Sequence, residues 1–413
     1  MSDKKRRNPI PGWRQVKFGD VVQVSKARSQ DPLADGIERY VGLEHLEPGE
    51  LRIRSWGSVS DGVTFTSVFQ SGQVLFGKRR AYQRKVAVAD FSGVCSGDIY
   101  VLETKDPMVL HPDLLPFICQ TDAFFDHAVG TSAGSLSPRT NWTSLADFEF
   151  SLPPLQEQET LVEALTSAQA VANTMHSAAD VTWNLIQSQL IDAFDTGGDP
   201  LRQPTHKKWN CAPLSEFITI KHGWAFKGEF FQDDKSKGPQ LLIPGNFTQY
   251  GWLDVSAERS KYYSGEYPRE YRLARGDLLL LMTDLTPSAR LLGAPGIVET
   301  DCLMLHNQRL GKVVLRKALG GNGALFMEYL HLFFMSDVFR RQVRAQAAGT
   351  TVSHSSPAQI CRIAIPCPDK RELEKAIAPL RASLNSLRSI KSRVISSASL
   401  MRALRQKTLD RQD

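Results

Sequence analysis

Nowhere in the 413 residues do apolar side chains run together for the roughly 18 positions that a membrane-spanning helix requires, so no spanning segment is expected. The opening MSDKKRRNPIP brings charge with no apolar stretch behind it. Neither a secretory signal nor an amphipathic presequence is readable there, and KKRR reads as a solvated terminus. Six cysteines, at 95, 119, 211, 302, 361 and 367, form no CxxC pair, and the nine histidines have no metal-ligand spacing. Zinc modules are thereby excluded, and the thiols are expected free and buried in a reducing compartment; His222 and His354 are expected in loops. No GxxxxGK[ST] phosphate loop occurs, because GKRR at Gly77 lacks both the spacing and the hydroxyl. GxSxG and HExxH are missing, and GGNG at Gly320 reads as a loop. PDKRELEK from Pro368 has the letters of a nuclease site but no upstream acid, so it reads as a helix start. The expectation is a binding protein with no catalytic residue, metal or cofactor of its own.

What is present is charge in blocks. Residues 1–154 are neutral overall, 155–200 carry seven acids and no base, 201–368 are net +7, and 369–413 are net +6. The acidic and the final basic block have heptad spacing. The first seam runs Leu161, Leu165, Ala168, Ala172, Met175, Ala179 and Ile186; the second runs Leu373, Ile377, Leu380, Leu384, Leu387, Lys391 and Val394. LPPLQEQ puts prolines before the first helix, and Asp369 to Glu372 has capping-box spacing. Pro379 either kinks the second helix or marks its start, since an interior proline costs about 3 kcal/mol. Two readings stand: each helix lies on its own domain, or the two pair. Opposite net charges favour pairing, with the apolar seam holding it.

The longer blocks are mixed α and β and repeat each other. SGQVLFGKRR, KVAVADF and SGDIYVLE are matched by RGDLLLLMTD, LLGAPGIVE and LGKVVL, and each set precedes a helical stretch and a polar loop. Gly72 aligns with Gly276, Gly130 and Thr131 with Gly349 and Thr350, and Pro153, Glu157 and Leu165 with Pro368, Glu372 and Leu380. The fold class expected is α+β: two α/β globular domains separated by two long antiparallel helices, with a pseudo-two-fold internal repeat.

Between two of the short apolar runs, Lys78, Arg79, Arg80, Arg84 and Lys85 surround Tyr82. Such a cluster suits phosphate contact and base-edge readout; it equally suits a solvated hairpin tip. Thr283, Ser288 and Arg290 occupy the matching place in the second half. Thr131, Ser135 and Arg139, with Thr350, Thr351 and His354, lie in two further polar loops that suit phosphate oxygens or simple connections; Lys221 completes the candidate set.

In this order, SGQVLFGKRRAYQRKVAVADFSGVCSGDIYVLE, SLPPLQEQETLVEAL, ARGDLLLL and AAGTTVSHSSPAQICRIAIP make the chain resemble the specificity subunit of type I restriction-modification enzymes. The resemblance implies target-recognition domains at 1–154 and 206–368 and spacer helices at 155–205 and 369–413. It implies a bipartite double-stranded DNA target, two methyltransferase subunits, restriction subunits joined through the complex, no membrane, and the cytoplasm of a bacterium or archaeon. S-adenosylmethionine, ATP and Mg would belong to the partner subunits. The second block departs from the pattern, with Leu373 at the place of Gln158. The alternative reading is a scaffold whose basic surfaces bind an acidic protein or RNA.

Overall fold

The computed structural model describes residues 12–134, 136–194, 209–256, 259–284, 289–316, 323–347 and 353–409. The chain divides into two compact units, Met1–His176 with Ser392–Asp413, and Ser177–Lys391.

The first unit contains β1 (Arg14–Lys17), α1 (Phe18–Val21), β2 (Val22–Val24), β3 (Arg39–Val41), β4 (Gly57–Ser58), β5 (Ser67–Phe69), β6 (Val74–Gly77), β7 (Val86–Val88), β8 (Gly93–Cys95) and β9 (Ile99–Thr104). After these come α2 (Leu115–Cys119), α3 (Asp122–Gly130), α4 (Trp142–Ala146) and β10 (Glu149–Leu152). One sheet has the order β2-β9-β6-β7 and another β4-β3-β8-β5, and β1 pairs with β10. Every residue of β6, VLFG, is buried, which is why it reads as an unbroken apolar run instead of an alternation. Phe76 packs on Phe124, and Phe124 on Phe18, at centroid distances of 5.5 and 4.9 Å, binding the sheet to α3.

The second unit repeats the plan with β11 (Cys211–Pro213), β12 (Ile218–His222), β13 (Phe231–Gln232), β14 (Gln240–Leu242), β15 (Lys261–Tyr263), β16 (Arg272–Leu273), β17 (Leu278–Leu281), β18 (Thr283–Asp284), β19 (Pro295–Ile297), β20 (Met304–His306) and β21 (Leu310–Leu315). It continues with α6 (Gly323–Met335), α7 (Asp337–Ala345), β22 (Ser353–His354), α8 (Pro357–Cys361) and β23 (Ala364–Pro366). Its sheets run β12-β21-β17-β19 and β13-β15-β14-β20-β16. The repeat extends to turns and caps. Gly72 and Gly276 both sit at φ +90°, a conformation that requires glycine. Thr121 and Ser336 cap α3 and α7, and Asn141 and Ser356 cap α4 and α8.

Two long helices, α5 (Leu155–Phe194) and α9 (Lys370–Thr408), run antiparallel. In the first unit Leu161 and Leu165 near the start of α5 share a core with Met401 and Leu409 near the end of α9. In the second, Ile186, Leu190 and Phe194 share one with Leu373, Ile377, Leu380, Leu384 and Leu387. Met175 and Val394 are only half-buried. The seam therefore holds both helices to the domains as well as to each other.

Four expectations need correction. Helix α9 begins at Lys370 and runs through Pro379, so the proline does not mark its start. The carboxylate of Asp369 accepts from Glu372 N (2.9 Å), supplying the start instead. Charge does not join the helices: the acids of α5, Glu157, Glu159, Glu163, Asp180 and Asp192, form no ion pair among the described residues. The α9 arginines reach domain carboxylates: Arg381 to Glu328 (2.6 Å), Arg388 to Glu299 (2.6 Å) and Arg402 to Asp122 (3.0 Å). Of the cysteines only Cys95 and Cys119 are buried, and Cys302 is exposed. Finally, His222 and His354 lie in β12 and β22, since the backbone of each pairs with a neighbouring strand. GGNG at Gly320 reaches beyond the described residues, and MSDKKRRNPIP lies outside them.

Candidate nucleic-acid interface

The basic loop follows β6 because Gly77 ends the strand and Ala81–Gln83 closes into one 3-10 turn. Arg80 and Arg84, on either side of that turn, are left-handed at φ 54° and 55°. For residues with a Cβ this costs about 1–2 kcal/mol each. Tertiary contacts hold them: Arg80 N donates to Pro138 O (2.7 Å), and the Arg84 guanidinium pairs with Asp122 and lies 4.6 Å from the Phe125 ring centroid.

The cations are not a free cluster. Lys78 stands over the Tyr100 ring (4.5 Å), and partial burial draws its ammonium below the ordinary lysine range. Arg79 donates to Ser137 Oγ (2.6 Å) and Asp98 Oδ2 (3.2 Å). Arg139 donates to Asp98 Oδ1 (2.8 Å), and a β-bridge joins Arg79 to Arg139. Partial burial alone would raise the Asp98 carboxyl, but hydrogen bonds and charge from Arg139 and Arg79 hold it below the usual carboxylate value. Lys85 Nζ donates to Leu43 O (2.6 Å). Arg80 is exposed without an ion pair among the described residues, and Tyr82 is 56% exposed; these two side chains of the loop face solvent. Thr131 Oγ1 donates to His127 O (2.8 Å) at the end of α3, a capping role. Ser135 lies outside the described residues.

The second unit brings the corresponding loops together with other chemistry. Strands β18 and β22 pair Thr283 with His354, and Thr283 Oγ1 lies 2.9 Å from His354 Nδ1. Arg290 is exposed at the loop's end, and its carbonyl accepts from the Arg340 guanidinium. Lys221 is exposed on β12 opposite Lys312, whose Nζ donates to Asp277 (2.6 Å); no hydrogen bond joins Lys221 to Thr283 or His354. Ser288, Thr350 and Thr351 lie outside the described residues.

Asp98 is the residue that sequence reasoning missed. An acid following SG before a strand has no periodic signal, and its two arginines come from distant loops. The EQ of LPPLQEQ turns out to be structural. Gln158 is buried, donating to Val109 O (3.0 Å) and Pro153 O (2.9 Å) and accepting from His111 N (2.8 Å), while Glu157 accepts from Trp13 Nε1 (2.9 Å). Leu373, at the corresponding place, instead enters the second unit's core.

Residues 11–178 match the family model described as type I restriction modification DNA specificity domain. The type I restriction enzyme EcoDI specificity subunit of Escherichia coli is 31% identical over 196 residues, which is 44% of this chain and 41% of that subunit. The chain thus spans less than half the length of that relative in the match. The MjaVIII specificity subunit of Methanocaldococcus jannaschii is 20% identical over 400 residues, 92% of this chain and 87% of the relative. Among solved structures, the S subunit of the type I restriction-modification system from M. genitalium overlays with TM-score 0.56 across 98% of both chains at 12% identity. A chain from a structure of type I R-M complex assembly and conformational transition overlays at 0.50, covering 97% and 98% at 18% identity. At such identities these overlays show the fold. Residues 11–178 are thus similar to the type I restriction modification DNA specificity domain, and over nearly its whole length the chain is similar to a specificity subunit of a type I restriction enzyme.

Proposed function

We propose that this chain is the DNA-recognition subunit of a type I restriction-modification complex and reads a bipartite duplex target, one half per globular unit. Residues 1–154 and 206–368 are the readers; 155–205 and 369–413, with α5 and α9, are the spacer and the dock for two methyltransferase subunits. Restriction subunits join through those partners, which bring S-adenosylmethionine, ATP and Mg, and this chain contributes binding without chemistry. The complex works on chromosomal DNA in a bacterial or archaeal cytoplasm.

One observation carries the reading: a single frame occurs twice with different polar groups at matching positions, Arg79, Arg139 and Asp98 against Thr283, His354 and Arg309. Matched frames with unlike donors and acceptors suit two different half-sites. Exposed Arg80 supplies phosphate contact, while the arginines around Asp98 hold the loop. The test is selection from random duplexes by the chain assembled with its methyltransferase subunits. A motif of two fixed blocks separated by an unread gap is expected, with the selected duplex outcompeting random duplex and RNA by at least about a thousandfold. RNA or random duplex competing equally well would favour the scaffold.

A further inference from the structure

A groove of about 370 Å³ on the first unit is lined by Arg39, Arg52, Arg54, Trp56, Asp90 and Phe91. The stretch LRIRSW builds one wall. Leu51 and Ile53 are buried, so in extended chain the alternate residues Arg52, Arg54 and Trp56 turn the other way. A bridge from Arg52 to Val88 and the hydrogen bond from Val88 N to Leu51 O (2.8 Å) lay this segment along β7. Opposite, Arg39 opens β3.

The three arginines are not equivalent. Arg54 is bound to Glu50 by two nitrogens (3.2 and 2.9 Å), and Arg52 Nε reaches Asp90 at 3.9 Å. The Arg39 guanidinium has no acidic partner among the described residues. It lies over Trp56 and Phe91, 4.6 and 5.0 Å from the ring centroids, and the two rings are themselves 5.0 Å apart. The two rings hold the guanidinium by cation–π contact, and its N–H groups make no hydrogen bond among the described residues. A planar donor fork held this way matches a pair of acceptors, as on the guanine O6/N7 edge or a phosphodiester. Trp56, 45% exposed, adds a stacking face.

The second unit lacks this arrangement at the same register. Gln240 opens β14 as Arg39 opens β3, Ser260 precedes β15 as Trp56 precedes β4, and Cys302 stands two residues before β20 as Phe91 does before β8. There Gln240 Nε2 donates to Ser260 Oγ (2.6 Å), so the two polar groups satisfy each other.

We propose that Arg39, clamped by Trp56 and Phe91, is a specificity-determining residue of the first unit, donating a bidentate pair of hydrogen bonds to acceptors on the DNA half-site which that unit reads. This rests on the DNA-recognition reading. The test uses the assembled complex and the duplex it selects from a random pool, comparing Arg39→Ala, Arg39→Lys and Trp56→Ala. Arg39→Ala is expected to weaken binding of the selected duplex about 5- to 150-fold, with the loss of preference confined to one half of the motif. Arg39→Lys keeps the charge and most of the stem but is expected to fail to restore binding, because an ammonium cannot make the planar pair. Relaxation of one base position with the salt dependence unchanged would mark a guanine edge as the acceptor pair and support the assignment; uniform weakening with a salt slope lower by about 1 would mark a phosphate contact and overturn it. Variants that bind and select as the wild type would overturn the proposal while leaving DNA recognition intact. A wild-type complex that selects no sequence would overturn both.

Discussion

Lys78 N donates to Asp98 O in the first unit, and Met282 N donates to Arg309 O in the second; Thr140 N donates to Lys78 O, and Ser355 N to Met282 O. Around this shared backbone the side chains part company. The Lys78 ammonium stands on the Tyr100 ring, whereas Met282 has its thioether beside Gly311, where any Cβ would collide with it. Asp98 gathers two arginines, and its counterpart Arg309 makes no side-chain ion pair among the described residues. The comparison teaches that hydrogen-bonded backbone and apolar strands maintain the frame while the polar groups upon it diverge: Asp98 and its two arginines satisfy one another, and Thr283 meets His354.

The comparison can be broken or sharpened by experiments of decreasing effect. Ile377→Ala removes a fully buried side chain from the second unit's core and should cost about 2–5 kcal/mol in chemical denaturation. Val394→Ala, at a half-buried position of the first unit, should cost less than about 1 kcal/mol; equal losses would dismiss the seam described here.

Acid should act on the second unit first. Burial lowers His306 and His331 from 6.5 to about 4, so between those values the unfolded chain binds protons that the folded chain refuses. Stability contributed by each neutral imidazole is complete above pH 6.5 and falls as pH drops toward 4, by at most about 3 kcal/mol per histidine. Hydrogen exchange resolved by unit should show the second unit loosening in that window, and His331→Gln should flatten the response.

Asp98 belongs to a lower window. Its folded pKa lies below 3.8, so the stability it contributes is present above that value and is lost as pH falls through the folded one. Asp98→Asn should cost about 1 kcal/mol at pH 7, solvent screening holding it to that scale, and the gap from wild type should close in acid. Arg80→Ala should leave stability unchanged and lower the salt slope of DNA binding by about 1. A full slope in that variant would remove Arg80 from the interface.

Much of the frame was legible because hydrophobic patterning is local. The runs VLFG and LLLL became β6 and β17, and the seams through Leu165 and Leu380 became α5 and α9. The candidate site was only partly legible. Five cations in eight positions look unpaired in one dimension, but four are held by Asp98, Asp122, Tyr100 and the Leu43 carbonyl, partners that only the fold brings near. The Arg39 groove had one readable trace, the alternation in LRIRSW, whereas Arg39 arrives from β3 and Phe91 from the connection between β7 and β8. Pro379 left two readings open in the sequence, and the fold excludes one of them: a helix with a well-buried face tolerates the loss of one N–H donor that an isolated helix would not, so α9 runs through it.

Two matched frames reading two unlike half-sites is the claim on which the account turns, and a hydroxyl-radical footprint of the assembled complex on its selected duplex tests it directly. Two protected segments flanking an accessible gap are expected, with Arg39→Ala exposing one segment and leaving the other covered. A single continuous footprint, or one that the variant erases evenly, would contradict it.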